Sequence, residues 1–262
     1  MDAGTRGRGD AEHRRRKVRA DKLLLERGLA PSREKAQALI MAGSVYSGER
    51  RIEKSGQLLG EDSPLAIRGK TCPYVSRGGL KLEAALRFFK PPLADSVCAD
   101  VGASTGGFTD CLLKHGAAKV YALDVGHGQI DASLAGDPRV VAREGINARY
   151  LEADFFPEPI TLAVLDASFI SLRLLLPALK RSAPRAALIA LVKPQFEAGR
   201  TEVGKGGVVR DAAIRERAVE AVCDAARNLG YTLRGTLESP VKGPKGNVEY
   251  FVYLIPTMTE EP

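Results

Sequence analysis

Hydrophobic positions fall into two regimes along the chain. In the first, apolar residues come in short groups at helical spacing. Val18 to Arg27 predicts an amphipathic helix stopped at Gly28, and Ser32 predicts the cap of a second helix, Arg33 to Ala42, stopped at Gly43. Short strands are then expected at Ser44 to Gly48 and Leu65 to Arg68, with a polar stretch around Gly56 between them. In the second regime, continuous apolar runs alternate with amphipathic segments. Strands are predicted at Ser96 to Ala99, Lys119 to Asp124, Arg139 to Ala142, Thr161 to Asp166 and Ala186 to Lys193. Such runs imply a sheet covered on both faces.

Three helices are predicted around that sheet. Gly78 to Phe89 places Leu82, Ala85, Leu86 and Phe89 on one face; Asp110 to His115 is closed by Gly116; Ala212 to Leu229 carries Val219, Val222, Ala226 and Leu229 and ends at Gly230. Two last strands, Tyr231 to Leu237 and Val248 to Ile255, are joined by Pro240 to Gly246, too short for a crossover helix, and are expected to be antiparallel. The expected fold class is α/β: a Rossmann-like, mostly parallel seven-stranded sheet with an antiparallel last strand, carrying a small N-terminal α+β domain. The expected boundaries are a disordered basic tail at 1–17, a small domain at 18–69, a linker at 70–75, the large domain at 76–256 and a tail at 257–262.

Charge sharpens this division. Residues 1–70 hold 16 Lys+Arg against 10 Asp+Glu, whereas the remainder holds 23 against 22, so nearly all of the net +7 lies in the first quarter. A basic surface concentrated on a small region is the electrostatic footprint of a polyanion reader. The basic first residues lead into no apolar run, and nowhere is there an uninterrupted stretch long enough to cross a membrane, so a soluble, cytoplasmic protein is expected. Four scattered cysteines without a C-x-x-C pair and three histidines argue against a zinc site or a disulfide framework.

The chemistry is centred on Ala99 to Thr109, which reads as strand, glycine turn and helix start. Gly102 and Gly106, lacking Cβ, let the backbone lie flat against a ligand. Asp124 follows Gly102 by 22 positions, the spacing at which an acid closes on the ribose of an adenosine cofactor. That spacing does not choose between a dinucleotide and S-adenosylmethionine. Asp124, Asp166 and Lys193 all end strands, and ligands of open α/β sheets sit at such ends. Lys81 starts a helix and Glu249 starts the last strand, so Lys81, Asp166, Lys193 and Glu249 would converge only after folding.

Two resemblances add to this reading. The helix, the capped second helix with Arg33 and Lys35, and the small strands resemble the alpha-L RNA-binding domain. That resemblance implies RNA contacts for Arg19, Lys22, Arg33 and Lys35. The segments Tyr74 to Leu82, Asp100 to Thr109, Asp166 to Leu172, Val192 to Phe196, Gly204 to Asp211 and Gly243 to Tyr250 resemble the TlyA (hemolysin A) family of ribosomal RNA methyltransferases. These belong to the FtsJ-like 2′-O-methyltransferases with a Lys-Asp-Lys-Glu tetrad. The resemblance implies Lys81, Asp166, Lys193 and Glu249 as catalytic residues and S-adenosylmethionine as cofactor. It also implies Asp100, Gly102, Ala103, Ser104, Gly106, Phe108, Asp124 and Asn147 as cofactor contacts, with Asp154 an alternative to Asn147. S-adenosylmethionine has no pyrophosphate, so Gly102 and Gly106 are expected to make room for its methionine part. The implied partner is ribosomal RNA, through the ribose of cytidine, with no metal and no membrane. Three other readings stay open: a dehydrogenase on the same loop, a non-catalytic RNA-binding assembly factor, and a hemolysin-like activity.

Overall fold

The computed structural model describes residues 16–41, 43–68, 72–199 and 201–257. Most of the expected basic tail (1–15), the start of the linker (69–71) and most of the last tail (258–262) lie outside them. The chain divides into two compact units, Met1–Thr71 and Cys72–Pro262.

The first unit contains β1 (Lys17–Arg19), α1 (Ala20–Glu26), α2 (Arg33–Met41), β2 (Val45–Ser47), β3 (Arg50–Arg51), β4 (Leu58–Gly60) and β5 (Leu65–Ile67). Strand β1 pairs antiparallel with β4, and β2 pairs antiparallel with both β3 and β5. Val18, Leu23, Leu24, Ala36, Ile40, Val45 and Ile52 share one core. The Ser32 hydroxyl accepts the Lys35 amide at 3.2 Å and caps α2 as expected. Val18 and Arg19 differ from expectation, since they are strand rather than the first turn of helix. Val18 faces Leu59 across the ladder, and the Ala20 amide donates to the Gln57 carbonyl at 2.8 Å, so tertiary pairing overrides the local helical pattern.

The second unit comprises α3 (Gly78–Phe89), β6 (Val97–Val101), α4 (Gly107–Lys114), β7 (Lys119–Asp124), α5 (Ala132–Ala135), β8 (Val140–Glu144), β9 (Leu162–Leu165), α6 (Leu176–Ser182), β10 (Ala187–Val192), α7 (Pro194–Glu197), α8 (Ala212–Asn228), β11 (Tyr231–Glu238) and β12 (Tyr250–Pro256). The sheet order is β11-β12-β10-β9-β6-β7-β8, with β12 antiparallel to both neighbours and every other pair parallel. Alternate residues of one strand serve opposite faces. Leu188, Ala190 and Val192 enter one core with α6 and α8, while Ile189 and Leu191 enter the other with α3 and α4. The order reverses between β6 and β9, which opens a crevice at their carboxyl ends.

Helix α4 begins at Gly107, three residues before the expected Asp110. Asp110 is instead buried inside the helix's first turn, accepting the Val75 amide and the Lys114 ammonium, each at 2.9 Å. Cys72 to Val75 therefore pack as part of the second unit rather than as linker, and the Tyr74 ring is buried beside α3. Helices α3 and α4 approach closely at Gly107, where a Cβ would lie 2.1 Å from Ser76 Oγ and 3.0 Å from the Gly79 amide nitrogen. Asp100, fully buried in β6, ties the strand to α4 by accepting the Thr109 hydroxyl at 2.7 Å. Burial pushes its pKa up to about 7, against the lowering effect of the Thr109 hydroxyl.

Two predictions follow from this packing. Gly107→Ala should destabilise the chain by about 1–3 kcal/mol, because the α4 methyl meets α3 backbone that cannot rotate away; denaturant unfolding measures it. The Asp100 proton is held more tightly in the folded state than in the unfolded chain. Its contribution to stability is thus full below an unfolded carboxylate value of about 4 and is lost as pH rises to about 7. Stability of the parent relative to Asp100→Asn should fall over that window and be flat above it. A pH-independent difference in denaturation midpoints would contradict the assignment.

Candidate active site

The loop after β6 is drawn towards β9. Gly102, at φ +86°, comes so near the end of β9 that a Cβ would lie 2.8 Å from the Asp166 carbonyl oxygen. Backbone meeting backbone is by itself enough to require glycine here. The amides of Gly102 and Ala103 both donate to the Leu123 carbonyl, at 2.9 and 3.1 Å. Asp124, at the end of β7, then fastens the loop from the other side. Its two oxygens accept the Ser104 and Gly126 amides, each at 2.8 Å.

Around this loop lies a cavity of about 460 Å³, within the range of small-molecule sites. Gly102, Ser104, Asp124 and Asn147, four of the residues implied as cofactor contacts, line it together with Asp166. Asn147 also caps a short turn by accepting the Arg149 amide at 3.1 Å. Asp154, the alternative to it, is exposed and is not on the wall. Ile146, within the 144–147 stretch that the family resemblance implies for the adenine, is on the wall too, and sequence reasoning missed Val125, Gln129 and Phe169, which are among the other lining residues. Gln129 is held there because the Glu144 carboxylate accepts the Gly128 and Gln129 amides at 2.7 and 3.0 Å.

The other expected cofactor residues do not line the cavity. Asp100 supports the loop from within β6. Ala103 is buried under it. Gly106 faces Leu134 of α5, whose Cδ1 would be 2.3 Å from an added Cβ. The Phe108 ring lies in the core, 6.2 Å from that of Phe251.

Beside the cavity, four charged residues form two pairs. Lys81, in the first turn of α3, donates to Glu249 Oε2 at 2.6 Å, and both side chains are buried. Lys193, just past β10, lies 2.6 Å from Asp166 Oδ1 and donates to Ser168 Oγ at 2.8 Å and to the Asp166 carbonyl at 3.4 Å. The register places the pairs side by side, since Val192 of β10 faces Tyr250 of β12 and one further step sets Lys193 across from Glu249. Gly243 permits this, because a Cβ there would overlap Glu249 Oε1 at 2.0 Å.

A buried clamp holds the loops that carry Asp166 and Lys193. Glu197, at the end of α7, accepts the Ser171 hydroxyl at 2.5 Å and the Leu172 amide at 2.7 Å, and lies 3.4 Å from the Arg173 guanidinium. Burial raises its pKa, while the Ser171 hydroxyl and the Leu172 amide oppose the rise. Phe169 stands at the rim, the residue 91% exposed and its backbone at φ +65°, with its ring 5.2 Å from that of Phe196. Among the described residues, no cluster of His, Cys, Asp and Glu could hold a metal ion.

The four cations expected to meet RNA are all on the first unit. Arg19 and Arg33 converge on Asp21, Lys22 lies 3.5 Å from Glu26, and Lys35 is exposed on α2.

Comparison with known proteins agrees with both units. The FtsJ-like methyltransferase family matches residues 74–255, and the S4 domain matches residues 18–63. A Mycobacterium tuberculosis protein named 16S/23S rRNA (cytidine-2′-O)-methyltransferase TlyA is 46% identical over 91% of this chain and 90% of its own. A solved Streptococcus thermophilus structure, described as a candidate hemolysin, is 42% identical with a TM-score of 0.74, covering 93% of this chain and 90% of its own. A candidate S-adenosylmethionine dependent methyltransferase from Listeria monocytogenes shares the fold alone, at 14% identity and a TM-score of 0.52, over 70% of this chain and all of its own. With an FtsJ-like unit, an S4 domain and relatives of this closeness over nine-tenths of its length, the chain belongs to the TlyA family of FtsJ-like methyltransferases.

Proposed function

We propose that this protein transfers a methyl group from S-adenosylmethionine to the ribose 2′-hydroxyl of a cytidine in ribosomal RNA, in the cytoplasm. The observation that carries the reading is the double position of Asp166, which lines the cavity and also pairs with Lys193 at 2.6 Å. A cofactor cavity and a charged, ordered cluster thereby share a wall. The named activity of the Mycobacterium tuberculosis relative supplies the acceptor, and the S4 domain fits it.

The cavity fits this cofactor by its donor set. Asp124 keeps lone pairs free for ribose hydroxyls, Asn147 offers an amide to the adenine edge, and Ile146 and Val125 supply apolar walls for its faces. Asp100, Ala103, Gly106 and Phe108 act by fixing the loop rather than by contact. When bound, the cofactor supplies a methyl group on a positively charged sulfur.

The remaining work falls to the chain. A ribose hydroxyl is a weak nucleophile at neutral pH, so it must be oriented and relieved of its proton. Lys193 Nζ is aimed by Asp166 and Ser168, and takes that proton once it is itself free of its third hydrogen. Lys81 and Glu249 set the neighbouring position, where an ammonium and a carboxylate oxygen hold the sugar in place. Phe169, exposed at the rim and backed by Phe196, offers a face on which the target base can stack.

Incubation of purified small and large ribosomal subunits with labelled cofactor, followed by mapping of ribose-methylated positions, should place label on cytidine. No label in the RNA of either subunit would overturn the reading. Lys193→Ala should cut transfer by at least about a hundredfold, while affinity for S-adenosylhomocysteine and for RNA stays unchanged. Turnover persisting in that variant would remove Lys193 from its role.

A further inference from the structure

In the first unit, one carboxylate gathers groups from both helices and the first strand. The Asp21 side chain, in the first turn of α1, has no solvent exposure. A buried charge needs partners, and Asp21 has four neighbours. Arg19 reaches it with a two-pronged contact, Nε to Oδ1 at 3.0 Å and Nη2 to Oδ2 at 2.9 Å. Arg33 Nε donates at 3.2 Å, Gln37 Nε2 at 3.1 Å and the Lys22 amide at 2.9 Å. The Arg19 fork holds the Asp21 carboxyl well below the usual carboxylate range, against the effect of burial.

Only part of each guanidinium is used in this way. Both arginine side chains remain about half exposed, at 45% and 51%. Among the described residues, Arg19 Nη1 and both Nη groups of Arg33 make no hydrogen bond. Arg19 lies over Gly56, where a Cβ would come within 3.1 Å of Nη1, so the glycine leaves room for this placement. The two cations come from different elements, β1 and the start of α2, and the shared carboxylate is the side-chain group that both guanidinium groups contact.

We propose that Asp21 is a positioning residue that holds Arg19 and Arg33 as a preordered pair of guanidinium forks for the phosphates of RNA. The proposal rests on the reading that this unit meets RNA through those arginines. Free arginines lose rotamer freedom when they bind phosphate; here much of that ordering precedes the encounter. Asp21 costs the surface one unit of charge and returns fixed geometry, which matters because bidentate phosphate contacts depend on orientation.

Charge and geometry predict opposite signs, which makes the test decisive. Removing the carboxylate raises the net charge of the unit by one. If only charge counted, Asp21→Asn would bind RNA more tightly and with steeper salt dependence. If Asp21 positions the arginines, the same variant binds more weakly, by about tenfold, despite its extra positive charge. The measurement is affinity of the full chain for ribosomal RNA across a salt series, with circular dichroism melting as the check on folding. Arg19→Ala and Arg33→Ala should each weaken binding and flatten the salt slope.

Weakening by both arginine variants together with unchanged or tighter binding by Asp21→Asn overturns the positioning role alone. Unchanged binding by the arginine variants overturns the RNA reading of this surface as well. Should Asp21→Asn fail to fold, Arg19→Lys and Arg33→Lys keep the charge but lose the fork. Weakened binding by these variants supports the proposal, and affinity equal to that of the parent overturns it.

Discussion

Burying an ammonium group is unfavourable unless a carboxylate is buried with it, and the second unit does this twice at one end of its sheet. Such pairs are poor sources of stability, since their mutual attraction is largely spent on lost hydration. What they provide is placement. Lys81 can reach Glu249 only if α3 lies against β12, and α3 can lie there only because α4 admits it at Gly107. Lys193 can reach Asp166 only if β9 and β10 end close to one another, which their parallel register ensures by setting Ala190 beside Leu165, two residues before β10 ends. Helix packing and strand register thus come to be expressed in the position of two nitrogens.

The cavity depends on the same end of the sheet. Reversal of strand order between β6 and β9 opens a crevice, and the loop after β6 bends across it until Gly102 touches the Asp166 backbone. Asp166 therefore serves three structures at once. Its carbonyl abuts the loop, its carboxylate holds Lys193, and its surface closes the cavity. A change there cannot be confined to one function. Glu197, by contrast, reaches neither the cavity nor the ion pairs, yet it binds the segment after Phe169 to the helix after Lys193.

The sequence was most legible where pattern and environment agree. The Lys119 to Asp124 strand and the Gly78 to Phe89 helix appear with the bounds read from their apolar spacing, because each packs one face, or both, against a continuous core. Val18 and Arg19 were misread because three residues of alternating polarity look the same at the start of a helix and in a short strand; β4, distant in sequence, decides. The early start of α4 was hidden by Gly106 and Gly107, poor helix formers, of which Gly107 is accepted for the approach to α3 and Gly106 for the contact with Leu134 of α5. In the site, Lys81 and Glu249, which start their elements, were implied as catalytic only by the family resemblance, whereas Asp124, Asp166 and Lys193 were visible as polar residues ending apolar runs. Ser168, Gln129 and Glu197 were not, since each becomes a partner only through a loop held by another loop. Phe108 misled in the opposite direction, being an apolar residue in a cofactor motif whose ring belongs to the core.

The two units also divide the electrostatics between them. Residues 1–70 carry an excess of six positive charges and the rest of the chain an excess of one. In the second unit, Lys81, Lys119, Arg139 and Lys193 are all committed to carboxylates of their own unit. Salt screens exposed charges over roughly 8–10 Å at ordinary ionic strength, but acts little on pairs that are buried and in contact. The 2.6 Å separations of Lys81 from Glu249 and Lys193 from Asp166 put the tetrad in that protected class. Arg19 and Arg33, half exposed, are open to the solvent and its ions. Capture of a polyanion and removal of a proton can thus respond differently to the medium, because the charges that attract the substrate are not the charges that act on it.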